Sequence, residues 1–296
     1  MEFSKKYRLE KRLGKQRKRK FGEIFLATDT RNNRKVVLKA VRINPDDPTN
    51  VRRLTAEASF SFDFEGLPTT LDFEETASTI FLVREYVEGI PLDEYWDQLK
   101  RRKRLPFVIE LLEKLQAIFD HLTSLNVVHC DIKPSNILIT SKADTFKVNL
   151  LDFGLSIRTS EEKENRQRKL LFPLGFAAPE LLLNQLELAD HRTDMFALGV
   201  MIWRLYAGTL PLVHPNPSVF TNLQLTHPLP EHTEVPKKLY VILAKMAYKH
   251  QFDLPPNQMK QNEVRELLAS AMDKRYHSWN EIIQALKSIE KKRFWK

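Results

Sequence analysis

The stretch VVHCDIKPSNILI, Val127 to Ile139, is followed closely by VNLLDFG, Val148 to Gly154. In the first, Asp131, Lys133 and Asn136 lie on a proline-interrupted loop that runs into a short apolar strand, so three side chains can be aimed at one point. An Asp can accept a hydroxyl proton, a Lys can neutralise a transferring phosphoryl group, and an Asn carbonyl can bind a hard cation. Those are the requirements of phosphoryl transfer. In the second, Asp152 follows an apolar strand and precedes a Gly turn, presenting another carboxylate suited to magnesium.

Outward from these loops the hydrophobic pattern changes along the chain. From Tyr7 to about Val87 it favours strands: EIFLAT and KVVLKAV form a hairpin around DTRNNR, and TTLDFEE and TIFLVREYV pair around Thr76 to Ser78. One helix is expected between them, around Val51 to Phe62. Beyond Gly89 long amphipathic segments dominate, at Leu105 to Leu125, Asp190 to Ala207, Lys237 to His250 and His277 to Lys291. The Pro-rich part from Pro211 to Pro236 is expected to be largely irregular. A boundary falls near Val87 to Pro91, and pockets prefer such boundaries.

The 296 residues are 42% hydrophobic, enough for one large domain or two packed lobes. Lys and Arg number 47 against 38 Asp and Glu, a net charge of +9, which favours acidic partners. Cys130 is the only cysteine, so no internal disulfide can form, which fits a reducing compartment, the cytoplasm by default. The stretch MEFSKKYRLEKR has no apolar core of the kind a secretory signal needs, and Glu2 stands where myristoylation needs Gly. FALGVMIW, from Phe196, is stopped by Arg204 well short of the roughly 20 apolar residues of a membrane span, and is expected to be a buried helix. The His residues show no metal-binding spacing, and no zinc site is expected.

The spaced pair of loops resembles the eukaryotic-type Ser/Thr protein kinase family, and the resemblance covers nearly the whole chain. It implies an α+β, bilobal protein kinase-like fold. A small N-terminal lobe of antiparallel sheet with one main helix would span residues 1–87, a hinge 88–91, and a larger, mostly helical lobe 92–296, as a single kinase domain. It also implies ATP and Mg2+ as cofactors and a protein Ser or Thr hydroxyl as substrate. Asp131 would be the base and Lys133 would stabilise the transferring phosphoryl, while Asn136 and Asp152 would hold the metal. Lys39, fixed by Glu57, would grip the first two phosphates. Backbone groups of Glu85 and Val87 would read adenine, with Ile24, Val37 and Leu138 around the ring and Gly14 and Gly22 in the Gly-rich loop. FAAPE would place Glu180 against a distant Arg, here Arg275. In DMFALG, Asp194 would brace the catalytic loop and Gly199 would permit close helix packing. His129 is expected to be structural.

Four departures from the family pattern stand out. Gly14 and Gly22 are separated by KQRKRKF, so the middle glycine is missing and a cationic tip, Lys15, Arg17, Lys18, Arg19 and Lys20, takes its place. Phe21 is the only aromatic residue near those cations, so a nucleic-acid surface is not expected. Cys130 replaces the Arg that docks a phosphorylated loop, and activity is not expected to depend on phosphorylation of Thr159 or Ser160. Pro173 lacks the hydroxyl that braces the catalytic Asp and Lys. Arg84 stands where an apolar or small residue is common; buried and unpaired, it would cost several kcal/mol, so it needs a carboxylate, Glu57 or Asp152. A pseudokinase acting as a nucleotide-binding scaffold is the alternative these departures raise. The oligomeric state is left open.

Overall fold

The computed structural model describes residues 3–13, 22–142, 145–160, 172–252 and 254–294. Gly14, the cationic tip Lys15 to Lys20 and Phe21 lie outside them. The chain forms two compact units, residues 1–89 with 140–155, and residues 90–139 with 156–296. This differs from the linear division expected at residues 88–91: the segment 140–155, which carries Asp152, belongs with the first unit.

In the first unit five antiparallel strands, β1 (Tyr7–Leu13), β2 (Glu23–Asp29), β3 (Arg34–Arg42), β4 (Thr70–Glu75) and β5 (Thr79–Glu85), stand in the order β1-β2-β3-β5-β4. Between β2 and β3 the turn is closed by Asn33, whose N–H donates to Asp29 O at 2.8 Å from a φ of 58°, a left-handed conformation that Asn tolerates. The period of two in KVVLKAV then decides which side chains share a face. Val36 and Leu38 pack with Tyr7, Ala27 and Val83 on one side. Val41, Ile80 and Leu82 pack on the other, against Leu54 of helix α1 (Thr49–Ala58). Helix α1 is shorter than the Val51 to Phe62 expected and buries only Leu54 and Glu57.

The second unit is mainly helical, with α2 (Leu92–Gln98), α3 (Arg104–Ser124), α4 (His191–Ala207), α5 (Pro217–Thr226), α6 (Lys237–Met246), α7 (Gln261–Asp273) and α8 (Trp279–Phe294). Helix α4, which contains FALGVMIW, is buried over most of its length, and it opens on a capping box between Asp190 and Thr193. A Cβ added at Gly199 of α4 would lie 2.8 Å from the Met246 Cβ, so only glycine lets α6 pack this closely. Trp279 of α8 stacks on Phe119 of α3 with ring centroids 4.3 Å apart. The Pro-rich stretch is largely irregular, as expected, except for helix α5: Asn216 caps it by accepting from the Ser218 N–H at 2.9 Å, with Pro217 in its first turn. No helix among the described residues is long and apolar enough to cross a membrane.

Candidate active site

In the first unit the sheet register sets Lys39 opposite Ile24 on β2 and Leu82 on β5, on the face that meets α1. Glu57, three residues after the buried Leu54, is turned towards it. Lys39 Nζ lies 2.6 and 2.8 Å from the two Glu57 carboxylate oxygens. This is a charge-assisted bond in a mostly dry setting, among the stronger hydrogen bonds a protein makes. Lys39 Nζ is also 3.7 Å from Asp152 Oδ1. Arg53, one turn before Glu57 on α1, sets Nη2 at 3.5 and 3.4 Å from Asp152 Oδ1 and Oδ2.

Arg84 is buried, as its position on β5 beside Val37 of β3 requires. Its Nε lies 3.5 Å from Glu57 Oε1, an ion pair without a hydrogen bond. The stronger contacts are with carbonyls, which sequence reasoning missed. Nη2 donates to Glu57 O at 2.6 Å and to Phe60 O at 2.9 Å, and Nη1 to Pro68 O at 3.4 Å. Glu57 O stands in the last turn of α1 and Phe60 O two residues past its end, and a cation is favoured beside a helix C-terminus. No basic residue of α1 itself stands in its last turn, so Arg84 supplies that charge from the neighbouring strand. Burial lowers the Arg84 pKa, and the Glu57 and Asp152 carboxylates oppose the shift.

In the second unit the Asp131 carboxylate receives Lys133 Nζ at 2.8 and 2.6 Å and Asn136 Nδ2 at 3.1 Å. Asn136 Nδ2 also donates to the Asp131 carbonyl at 2.9 Å, which closes the loop on itself. Beneath it the buried Asp194 of α4 accepts from the His129 N–H at 2.8 Å and the Cys130 N–H at 2.9 Å. That clamp holds Cys130 at φ 63°, a conformation that costs a non-glycine residue about 1–2 kcal/mol. Burial raises the Asp194 pKa to about 7 against the pull of the two N–H donors. His129 is buried, and its Nδ1 accepts from the Asp131 N–H at 3.2 Å, a structural use of the ring. Burial also pushes the Cys130 thiol well up, away from the reactive thiolate. Pro173 brings no hydroxyl, and Lys133 and Asp131 meet without one.

Glu180 and Arg275 form the distant pair expected, with Nη1 to Oε1 at 2.7 Å, Nη2 to Oε2 at 3.0 Å and neither side chain exposed. Of the expected nucleotide positions in the first unit, Ile24 and Val37 share the Lys39 face. Gly22 has φ 95°, and a Cβ there would lie 2.6 Å from Ala40 O, so this position admits only glycine. The Glu85 N–H is taken by Thr69 O at 3.1 Å, leaving its carbonyl as the group that could accept from a base; Val87 is half-buried. Leu138, in the second unit, is half-buried and pairs with Pro91. Asp152 lies in the first unit and Asn136 in the second. Among the described residues no three His, Cys, Asp or Glu side chains cluster as a metal site.

The protein kinase domain profile matches residues 7–289. The chain is 31% identical over 218 residues to the serine/threonine-protein kinase dkf-2 of Caenorhabditis briggsae, covering 71% of this chain and 17% of that protein. It is 28% identical over 194 residues to the serine/threonine-protein kinase PrkC of Bacillus subtilis (64% of this chain, 28% of the other). It is also 28% identical over 200 residues to the serine/threonine-protein kinase PknA of Mycobacterium tuberculosis (64% and 44%). The matches thus span less than half the length of these relatives. With the profile running from the first strand into the last helix, over a Lys39–Glu57 pair and an Asp131–Lys133–Asn136 loop, the chain belongs to the protein kinase family.

Proposed function

We propose that this chain is an active Ser/Thr protein kinase, transferring the γ-phosphoryl of ATP to a protein hydroxyl in the cytoplasm. The observation that carries the proposal is the Asp131 carboxylate held between Lys133 and Asn136 at 2.6 to 3.1 Å, a constellation that a scaffold binding nucleotide or partner does not need. Asp131 orients the substrate hydroxyl and accepts its proton. Lys133, already on that carboxylate, offsets charge on the phosphoryl in flight. Lys39, fixed by Glu57, holds the α- and β-phosphates. Catalysis of this kind is positioning and electrostatics, with little covalent work for the protein.

The donor set fits magnesium. Asn136 uses its amide N–H on Asp131, which leaves the carboxamide oxygen as its donor atom, and Asp152 keeps a partly exposed carboxylate; both are hard oxygens. A magnesium ion held by such oxygens would neutralise phosphate charge. In the first unit Ile24 and Val37 line the base, the Glu85 carbonyl and Val87 N–H read its edge, and Gly22 serves the cover; the resemblance assigns Leu138 to the base as well. The assay is phosphoryl transfer from labelled ATP with magnesium, by the native chain and Asp131→Asn, on itself and on generic basic substrates. Loss of the base lowers turnover about 10²- to 10⁴-fold. ATP binding without transfer by the native chain would return the pseudokinase reading.

A further inference from the structure

Arg53 has no part in the catalytic scheme above, yet its side chain is only 12% exposed. One guanidinium nitrogen, Nη2, faces both Asp152 carboxylate oxygens, at 3.5 and 3.4 Å. Its stem lies across Gly154: a Cβ at that glycine would come within 2.7 Å of Arg53 Nε and 2.8 Å of its Cγ. Glycine after Asp-Phe therefore gives the arginine its seat. Lys39 Nζ approaches the same carboxylate at 3.7 Å. A divalent ion on these oxygens would sit within a few ångströms of two positive charges in a partly dry site, where like charges repel appreciably.

We propose that Arg53 is a counter-cation that competes with the divalent metal for Asp152. The metal then binds weakly by itself and is admitted together with nucleotide phosphates, whose negative charge offsets Arg53 and Lys39. This rests on the reading of Asp152 as a metal donor, and the test separates the two. Binding of Mn2+ alone, followed by the loss of its free-ion electron paramagnetic resonance signal, is measured for the whole chain. The proteins are native, Arg53→Gln, Arg53→Met, Arg53→Lys, Asp152→Asn and the Arg53→Gln/Asp152→Asn double variant, each checked for native folding by circular dichroism.

Arg53→Gln and Arg53→Met should tighten Mn2+ about tenfold or more, while Arg53→Lys, which keeps the charge, stays within about threefold of native. Adding ADP should narrow the gap between native and Arg53→Gln, and Asp152→Asn should erase the gain in the double variant. If Asp152→Asn weakens Mn2+ but the neutral Arg53 variants match native, the competition is refuted and the metal donor stands. If Asp152→Asn changes nothing in either background, both are refuted. Mn2+ binding that stays undetectable after Arg53 is neutralised also overturns the proposal.

Discussion

Replacing Arg84 with Met tests whether this buried cation stabilises the fold or merely survives in it. Two opposing effects have to be weighed. Removing the guanidinium relieves its desolvation, which is large enough to lower the Arg84 pKa. It also removes the 3.5 Å ion pair with Glu57, but Glu57 keeps Lys39 at 2.6 Å and is not orphaned. These two terms roughly offset, as they do for many buried pairs. What remains is the loss of donors to Glu57 O and Phe60 O at 2.6 and 2.9 Å, in a pocket too dry for water to replace them. Each carbonyl keeps a second donor, the Phe60 N–H at 3.2 Å on Glu57 O and the Thr70 hydroxyl at 3.2 Å on Phe60 O, so each lost bond costs about 0.5–1.5 kcal/mol, and the 3.4 Å contact to Pro68 O adds little. Arg84→Met should therefore lower stability by about 1–3 kcal/mol in urea unfolding, and Arg84→Lys, with a compact ammonium on a shorter reach, by an intermediate amount. Amide exchange should report the loss first at the C-terminal end of α1. A Met variant within about 0.5 kcal/mol of native would refute the reasoning, because it would mean that desolvation of the cation outweighs both carbonyl bonds.

In the second unit, Arg275→Met leaves Glu180 buried with only Thr193 Oγ1, at 2.9 Å, as a remaining partner, and should cost about 3–5 kcal/mol by denaturant unfolding. Two buried groups there also predict opposed pH slopes. Asp194 has its folded pKa raised from 3.8 to about 7, so the folded state binds the extra proton and stability falls as pH rises from about 4 to 7. Burial, with Arg275 nearby, lowers Lys249 from 10.5 to about 7, so the folded state sheds its proton early and stability rises with pH from about 7 to 10.5. Unfolding measured across pH for native, Asp194→Asn and Lys249→Met should show the acid-side slope reduced in the first variant and the alkaline-side slope reduced in the second; unchanged slopes would contradict these shifts.

Much of the fold was legible because its signals are local. The alternation in KVVLKAV fixes which face Lys39 occupies, and the Asp190-to-Thr193 cap and the apolar run after it fix α4. Glu180 and Arg275 were also paired from the sequence, through a family motif rather than through local chemistry. Helix α5 was missed because proline density outweighed the Asn216-Pro217 start signal, which was present. The carbonyl cage around Arg84 could not be read at all. It joins β5, the end of α1 and the stretch through Phe60 and Pro68, and no periodicity links residues so far apart in sequence.

That cage bears on how an arginine is tolerated where the family commonly has a small or apolar residue. Helix α1 has only ten residues and buries only Leu54 and Glu57, so apolar packing gives it little hold, and a helix this short is marginal unaided. Its placement depends on charge instead. Glu57 meets Lys39, the terminal carbonyls meet Arg84, and Arg53 meets Asp152. Arg84 thus joins a set of contacts the helix needs, and an apolar residue at that position would leave the helix end without its cation. The first and third contacts also tie the helix to the two groups assigned to phosphate and metal. Ligands that draw Lys39 or Asp152 away must then bear directly on the position of α1, whereas the Arg84 contact, made to backbone carbonyls, persists whether or not they bind.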